Sequence, residues 1–229
     1  MIEIHESERP ELTLKTATPA GLHGFVAASV LQRYAHAGVR ALDLGSGPGA
    51  IATRLQSMGC SVLAVDLSRE GYEASAPLVS LDLNLEDFAS SLGLGLFDLI
   101  TAIEVIEHVE SPIGFLRNIG KLIAPSGVAV ITTPNVDSVL ARFKFFATGR
   151  IRTMDEGSDP THISPIYLNL LERQFLPRAG LRLREYLSFP PDGFQLSRWP
   201  VRTAMRAVAA FASGKAKLGD HHVLVLDKA

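Results

Sequence analysis

The sequence has little cysteine, no excess of basic charge and no long apolar run. Cys60 is its only cysteine in 229 residues, which excludes a disulfide framework and a cysteine-rich zinc site and is typical of a reducing compartment. The net charge of -2 gives no reason to expect nucleic acid as the partner. No apolar run reaches the roughly 18 residues of a membrane span, and the polar amino terminus lacks the apolar centre of a signal peptide. We therefore expect a cytoplasmic protein.

The chain instead alternates between short apolar strands and amphipathic helices. Strands are predicted at about 40–44, 61–66, 78–82, 97–103 and 127–133. Helices are predicted at about 22–36, 50–58, 112–123, 136–148 and from Ser164-Pro165 to Gly180. The alternation of strands and helices implies right-handed crossovers and a parallel sheet. Two further strands, at 181–189 and 221–227, are predicted to close the sheet as an antiparallel pair.

The stretch RALDLGSGPGA at 40–50 ends the first strand in a glycine-rich turn and begins a helix. Glycine allows φ > 0 and lets a ligand approach the backbone closely, and a helix amino terminus attracts negative charge. The pattern predicts a nucleotide-like ligand at the carboxyl end of this strand. A dinucleotide would also fit, with Asp66 on a ribose.

Three further features favour a different nucleotide. Asp43, two residues before the first glycine, would repel a pyrophosphate but could hold an ammonium group through water. Asp82, at the end of the third strand, could accept a hydrogen bond from the exocyclic amine of adenine, and Pro48 stiffens the turn. A ligand with a cationic end, a ribose and an adenine is S-adenosylmethionine.

Several segments between about 40 and 135 resemble, in order and spacing, the motifs of class I S-adenosylmethionine-dependent methyltransferases. They are LDLGSGPG, VDLS at Asp66, LDLN at Asp82, FDLITAIEVIEHV (97–109) and ITTPN (131–135). The resemblance implies an α/β, doubly wound, Rossmann-like sheet of seven strands, mostly parallel with the last strand antiparallel. It implies a cofactor site made of Asp43, Gly45, Ser46, Gly47, Gly49, Asp66, Leu67, Asp82, Leu83 and Glu104.

We accordingly expect a single methyltransferase domain over residues 1–229. An amino-terminal lid and helix (1–38) would precede the cofactor-binding core (39–135). Substrate-side elaborations and the closing strands would occupy 136–229, with an insertion at 190–219.

The segment Glu104-Val105-Ile106-Glu107-His108 carries the candidate catalytic groups. In a helical turn the two carboxylates and the imidazole would project from one face, at the carboxyl end of the fourth strand. They could act as general bases or hold a divalent cation. His162, in DPTHISP, is a second polar candidate.

E-x-x-E-H followed by TPN and a later histidine is similar to two methyltransferase subfamilies. One contains the ubiquinone-biosynthesis O-methyltransferases, and the other contains the small-RNA terminal 2′-O-methyltransferases, in which a Glu, Glu, His, His set binds a metal. The matching residues here are Glu104, Glu107, His108 and His162. Mg²⁺ or Mn²⁺ is the expected ion, and two imidazoles suit Mn²⁺, Fe²⁺ or Zn²⁺ at least as well as Mg²⁺. A metal-free reaction with His108 as general base, or packing roles for Glu107 and His108, are the alternatives.

The predicted function is O-methylation of a small-molecule hydroxyl. RNA 2′-O-methylation and a non-catalytic S-adenosylmethionine-binding protein are the alternatives, and the constellation needed for an NAD-dependent oxidoreductase is not found. Arg198, Arg202 and Arg206 recur at helical spacing, and SVLARFKFFATGR interleaves apolar and basic residues. Such segments either contact an anionic membrane peripherally or form solvated helix faces. The sequence does not predict an oligomeric state.

Overall fold

A computed structural model describes residues 18–93, 95–195 and 199–229, and this part of the chain contains seven strands. They are β1 (Arg40–Leu44), β2 (Ser61–Asp66), β3 (Leu78–Ser80), β4 (Phe97–Ile103), β5 (Ile123–Pro134), β6 (Leu181–Phe189) and β7 (His221–Lys228). The helices are α1 (Leu22–Ser29), α2 (Ala50–Ser57), α3 (Phe88–Leu92), α4 (Pro112–Leu122), α5 (Val139–Thr148), α6 (168–178) and α7 (Trp199–Phe211). Short 3₁₀ turns lie at Leu31–Arg33 and Lys215–Lys217.

The strands form one sheet in the order β3-β2-β1-β4-β5-β7-β6. Strands β1 to β5 pair in parallel, whereas β7 runs antiparallel to both β5 and β6. The predicted seven-stranded sheet with an antiparallel last strand is therefore confirmed. The strand order reverses at β1 and β4, and the carboxyl edge of the sheet at such a reversal is where open α/β sheets bind ligands.

Apolar side chains cover both faces of the sheet. One buried cluster joins the strands to α3, α4 and α6 through residues such as Phe88, Phe115 and Leu171. The other joins them to α1 and α2 through residues such as Leu22 and Leu55. Helices on both faces make the sheet doubly wound, and β1 is buried along all but its first residue.

Local signals place several helix ends correctly. Ser111 caps α4 by accepting a hydrogen bond from the N–H of Gly114 at 3.2 Å, and Pro112 occupies the first helical position. Ser138 caps α5 by accepting from the N–H of Ala141 at 3.2 Å.

The predicted start of the helix at Ser164-Pro165 is wrong, because hydrogen bonds to a distant residue hold this segment in a non-helical conformation. The N–H groups of Ile163 and Ser164 both donate to the carbonyl oxygen of Glu107, at 3.0 and 2.9 Å. Helix α6 begins only at Leu168, whose N–H donates to Oδ2 of Asp137 at 2.6 Å. A carboxylate from a distant segment thus caps this helix, which widens into a π turn at Leu171–Phe175.

The amino-terminal helix is also shorter than predicted, since α1 ends at Ser29 and a 3₁₀ turn follows. The insertion at 190–219 contains α7 and a 3₁₀ turn. Most of the predicted lead-in, residues 1–17, lies outside the described residues, as does Arg198.

Candidate active site

The glycine-rich turn after β1 is held by its own backbone. The N–H groups of Gly45 and Ser46 donate to the carbonyl oxygen of Val65, at 2.8 and 3.1 Å, and that of Gly49 donates to Ser46 at 2.9 Å. The N–H of Gly47 donates to Oδ2 of Asp66 at 2.8 Å. Because these donors already have partners within the protein, the turn offers little to a pyrophosphate, which argues against a dinucleotide.

The three glycines of the turn serve different purposes. A Cβ on Gly45 (φ 66°) would lie 2.5 Å from Cγ2 of Val105, and one on Gly49 (φ 90°) would lie 2.4 Å from Cβ of Ala74. A Cβ on Gly47 (φ 50°) would meet only open space. Gly49 is therefore explained by close packing, whereas Gly47 borders space that a ligand can fill.

Asp43 is a buried carboxylate with one free oxygen. Its Oδ1 accepts a hydrogen bond from Oγ1 of Thr101 at 2.7 Å, while its Oδ2 has no hydrogen-bond partner among the described residues. Burial raises the pKa of Asp43 to about 7, although the Thr101 hydrogen bond and the nearby backbone N–H of Ala52, which lies outside ideal hydrogen-bond geometry, oppose this shift. An unpartnered buried oxygen of this kind fits a cationic group of a ligand.

The other predicted cofactor residues lie at the ends of β2 and β3. The half-buried Asp66 accepts hydrogen bonds from Gly47 and, at 3.3 Å, from the N–H of Ser68. Leu67 is 69% exposed, Asp82 is exposed and accepts from the N–H of Asn84 at 2.9 Å, and Leu83 is half-buried. These residues leave open surface beside the turn, and their roles remain predictions.

A cavity of about 410 Å³ opens beside the turn at the carboxyl edge of the sheet. The turn residues and Asp43 line one part of the cavity, and Thr18, Pro19 and His23, from the segment predicted as a lid, line another. The lining is completed by Ile51, Ile103, Glu104, His108, Pro134, Thr153, Ser158, Asp159, His162 and His221. Of the predicted catalytic residues, Glu107 is fully buried and lies behind this lining.

Glu104 departs from the helical arrangement on which its prediction depended. It adopts a left-handed conformation (φ 57°), which is unusual for a residue other than glycine. Its N–H donates to Oγ1 of Thr132 at 3.0 Å, and that hydroxyl donates to Oε1 of Glu104 at 2.8 Å. Its Oε2 lies 3.0 Å from Nδ1 of His221. Glu104 is thus directed towards β5 and β7.

Glu107, His108 and His162 come together in one group, with potential ligand atoms all within 4.8 Å of one another. The group includes three of the four predicted metal ligands, and Glu104 lies outside it. Neither carboxylate oxygen of Glu107 has a hydrogen-bond partner among the described residues. Burial, with a contribution from the charge of Glu104, raises the pKa of Glu107 well above its ordinary value. A buried carboxylate without partners at the side of two imidazoles fits a cation.

Both histidines of this group are oriented by backbone carbonyl groups. Nδ1 of His162 lies 2.8 Å from the carbonyl oxygen of Thr153. Nδ1 of His108 lies 3.2 Å from the carbonyl oxygen of Thr161 and 2.9 Å from its hydroxyl. Since a carbonyl oxygen can only accept, we assign the hydrogen to Nδ1 in each neutral ring, which leaves both Nε2 lone pairs free. Metal-binding histidines are commonly held in this way.

The pKa of His108 supports the neutral form. Burial lowers this pKa, and the neighbouring His162 lowers it further. Nε2 of His108 lies 4.0 Å from Oε1 of Glu107, and the two imidazole rings meet edge to face with centroids 4.7 Å apart. The group therefore offers two imidazole nitrogens and one carboxyl group as potential ligands.

Sequence reasoning missed His221 and assigned no role to His23. His221 is the first residue of β7. Its sequence neighbours form an ordinary strand pattern, so the local sequence does not indicate a functional residue. His23 lines the cavity from α1, and burial, followed by the charge of Arg54, lowers its pKa to about 4.

Asn135, the last residue of the ITTPN motif, has a structural role. Its side-chain amide donates to the carbonyl oxygens of Ala216, Leu218 and Gly219, at 2.9, 3.0 and 3.1 Å. It therefore holds the segment that leads into β7 and positions His221.

Residues 21–186 match the family described as a methyltransferase domain. The chain belongs to this methyltransferase family. The predicted resemblance to class I S-adenosylmethionine-dependent methyltransferases is thereby confirmed. No helix in the described ranges combines the length and the hydropathy that crossing a bilayer requires.

Curated relatives of this methyltransferase include ubiquinone biosynthesis O-methyltransferases. The chain is 33% identical over 105 residues to that of Caulobacter sp. (strain K31), a match covering 43% of this chain and 42% of the relative. It is 30% identical over 138 residues to that of Xanthomonas campestris pv. campestris (strain B100), covering 57% and 55%. The chain thus spans about half the length of the curated relatives it matches.

Solved structures share the fold of this methyltransferase. A SAM-dependent methyltransferase from Archaeoglobus fulgidus superimposes with a TM-score of 0.58 at 20% identity, covering 90% of this chain and 94% of the other. The 1,6-didemethyltoxoflavin-N1-methyltransferase of Burkholderia thailandensis, solved with S-adenosylhomocysteine, gives 0.57 at 16% identity, covering 90% and 78%. At these identities the likeness shows the fold.

Proposed function

We propose that this chain transfers a methyl group from S-adenosylmethionine to a hydroxyl group of a small molecule. The observation that carries the proposal is the presence, around one cavity, of two buried carboxylates that each have at least one oxygen without a hydrogen-bond partner among the described residues. Asp43 lies beside the open space at Gly47, and Glu107 lies beside two imidazoles. The first fits the cationic end of the methyl donor, and the second fits a divalent cation.

On the donor side, Asp43 would hold the amino group and Gly47 would border the methionine part. Ser46 supports this assignment, because its buried hydroxyl lines the cavity and its oxygen has no partner among the described residues. Asp66 and Asp82 would hold the ribose hydroxyls and the adenine amine. S-adenosylmethionine, when bound, supplies a methyl group activated by a sulfonium. The chain itself contributes orientation and the exclusion of water, which account for much of the rate in such transfers.

On the acceptor side, Glu107, His108 and His162 would hold the cation. Two nitrogen donors and one carboxylate suit Mn²⁺, Fe²⁺ or Zn²⁺ at least as well as Mg²⁺. A cation there would lower the pKa of the acceptor hydroxyl and orient its oxygen. Glu104 could join as a fourth ligand only by leaving Thr132 and His221, so we assign it to the donor side.

Proton removal can also proceed through the chain's own imidazoles. His108 has a neutral ring whose Nε2 is free to accept a proton. His221 lines the same cavity, and its Nδ1 lies 3.0 Å from the carboxylate of Glu104. These groups are the proposed general bases if the reaction proceeds without a metal.

A small molecule is the favoured acceptor for two reasons. The cavity has a volume of about 410 Å³, which is in the range of small-molecule sites. The curated relatives are named for ubiquinone biosynthesis, and O-methylation is in their name.

Calorimetric titration with Mn²⁺ tests the cation site. We expect one ion per chain for the wild type, and affinity at least roughly tenfold lower for Glu107→Gln and His162→Ala, as is usual when metal-site groups are lost. His36→Ala is the matched control, because His36 is exposed and its imidazole, among the described residues, hydrogen-bonds only to the neighbouring carbonyl oxygen of Ala37 at 3.0 Å. Absence of binding to the wild type, or equal binding by all four proteins, would remove the cation from the proposal and leave the metal-free route.

A further inference from the structure

Arg152 and Asp220 form a mostly buried ion pair that the proposed reaction does not use. Nη2 of Arg152 lies 2.9 Å from Oδ1 of Asp220, and the two side chains are 21% and 4% exposed. Within the described ranges, neither side chain has another group of opposite charge at salt-bridge distance. Because a charge removed from water is costly unless it is paired, each residue restricts where the other can lie.

Hydrogen bonds from three other segments hold Asp220. Its N–H donates at 2.7 Å to the carbonyl oxygen of Phe189, the last residue of β6, and its carbonyl oxygen accepts at 2.8 Å from the N–H of Asn135, which follows β5. Its Oδ2 accepts from the N–H of Gln195, in the insertion. The carboxylate is therefore held in a defined place directly before His221.

Each partner of the ion pair lies next in the chain to a residue of the acceptor side. Arg152 precedes Thr153, whose carbonyl oxygen lies 2.8 Å from Nδ1 of His162. Asp220 precedes His221, and both histidines line the cavity. The ion pair thus directly connects the loop that orients His162 with the strand that begins at His221.

The insertion at 190–219 is connected to the same carboxylate through Gln195. The side-chain amide of Gln195 donates at 2.9 Å to the carbonyl oxygen of Ala20, next to Pro19, which lines the cavity. Since the N–H of Gln195 donates to Asp220, the insertion joins the amino-terminal part of the cavity wall to the ion pair.

We propose that the ion pair between Arg152 and Asp220 sets the relative positions of His162 and His221, which makes both charged residues positioning residues for the acceptor. A displacement of about 1 Å at a reacting group can lower the rate about a hundredfold, and residues that orient metal-binding histidines affect metal affinity. The consequence for catalysis rests on the proposed function, which assigns His162 to the cation and His221 to proton removal.

NMR spectra of the imidazole groups test the positioning in the full chain, without metal or substrate. His162→Gln and His221→Gln assign the signals of the two histidines. Arg152→Met should shift the signals of His221 as well as those of His162, and Asp220→Asn should shift those of His162 as well as those of His221. If each charged residue had only a local structural role, it would affect the nearer histidine alone.

Three further variants complete the experiment. Arg150→Met is the matched control, because Arg150 lies in the same loop but is exposed and pairs with the exposed Glu156 at 2.9 Å; both histidines should keep their signals. Arg152→Lys keeps the charge and should shift the signals less than Arg152→Met. Arg152→Met combined with Asp220→Asn leaves no unpaired charge, so it carries the test where a single variant unfolds, and it should shift both histidines.

Calorimetric titration with Mn²⁺ extends the test to the proposed cation site. Arg152→Met and Asp220→Asn should each lower the affinity roughly tenfold. The double variant should lose about as much as either single variant, since the two residues act through one contact. The affinity for S-adenosylhomocysteine should be unchanged, because neither residue lines the cavity.

The outcomes separate this inference from the proposed function. Unchanged signals of His221 in Arg152→Met together with unchanged signals of His162 in Asp220→Asn would overturn the inference. Unchanged signals in the double variant, or equally large shifts in Arg150→Met, would do the same. If the shifts occur as expected but the wild type binds no Mn²⁺, the cation site of the proposed function is contradicted and the positioning of the two histidines is supported.

Discussion

At one end of the cavity, Asp43 and the turn at 45–49 come from a single short stretch, whereas at the other end the side chains come from distant segments. Glu107 and His108 follow β4, His162 lies in the loop after α5, and His221 begins β7. The first end is defined by backbone hydrogen bonds between neighbours. The second depends on how loops pack, so a change far from the chemistry can disturb it.

Both ends nevertheless share one electrostatic feature. Each contains a buried carboxylate with an unpartnered oxygen and a raised pKa, at Asp43 and at Glu107. Only Glu107 has imidazole nitrogens beside it, those of His108 and His162. The comparison shows two buried acids in different surroundings, and the proposal gives the first to a cationic ligand and the second to a metal ion.

The largest expected effect is that of Asp43→Asn, at the end of the cavity proposed to hold S-adenosylmethionine. Loss of the carboxylate should weaken S-adenosylhomocysteine binding roughly a hundredfold, as for other buried charge partners. The free energy of unfolding, in contrast, should increase in this variant at high pH. The folded-state pKa of about 7 exceeds the ordinary 3.8, so the wild type loses stability as pH rises through this interval. At about 1.36 kcal/mol per pKa unit, the variant should gain a few kcal/mol at pH 8 and little below pH 4.

Chemical denaturation at low and high pH measures this gain, and calorimetry measures the affinity. Asp82→Asn is the control for stability, because Asp82 is exposed. A variant that binds as tightly as the wild type would contradict the role of Asp43.

The second prediction concerns the other end, through Asn135→Ala. This change leaves three carbonyl oxygens without their donor and should destabilise the protein by about 2–4 kcal/mol. Because the segment before β7 loses its anchor, we also expect His221 to be displaced and methyl transfer to fall, while S-adenosylhomocysteine binding is retained. Denaturant titration and a binding assay distinguish the two effects. If Asn135→Ala reduced S-adenosylhomocysteine binding as much as methyl transfer, the change would affect both ends of the cavity, which would contradict this prediction.

Two glycine variants compare the stability and the donor affinity that different positions of the turn contribute. Gly49→Ala places a Cβ 2.4 Å from Ala74, so we expect a loss of about 2–3 kcal/mol in stability from overpacking and backbone strain. Gly47→Ala meets open space and should cost only about 1 kcal/mol from its positive φ, yet reduce donor affinity more than Gly49→Ala does. The reverse order of affinities would place the ligand away from Gly47.

The smallest expected effect is in Thr153→Gly. Thr153 has a φ of 71°, and its carbonyl oxygen orients His162. Glycine relieves the strain and keeps the carbonyl, so stability should rise by no more than about 1 kcal/mol. Mn²⁺ binding should be unchanged. Thermal unfolding and metal titration check both, and weaker metal binding would mean that the side chain, rather than the carbonyl, holds the loop.

The conformation of the glycine-rich turn could be predicted because the residues that determine it are neighbours in the chain. The turn, Asp43 and the bounds of β4 at Phe97–Ile103 follow from contiguous residues, as does the cap at Ser111-Pro112. The end of the cavity at Glu107 was predicted from motif resemblance, and His162 does join Glu107 and His108.

The remainder depends on contacts between residues far apart in the chain. The left-handed φ of Glu104 separates it from the predicted ligand group, and the capping of α6 by Asp137 requires a partner 31 residues away. His221 looks like any strand residue until Asn135 and Glu104 are seen around it. The exposure of Phe146, at 89%, likewise depends on how α5 packs, since the sequence left open a membrane contact or a solvated face for SVLARFKFFATGR.

Calorimetric titration of the wild type with S-adenosylhomocysteine, repeated with Asp43→Asn at pH 8, tests the central claim most directly. The account predicts one site per wild-type chain and a roughly hundredfold weaker site in the variant, with Mn²⁺ binding unchanged between the two. No binding by the wild type, or equal binding by both proteins, would contradict it.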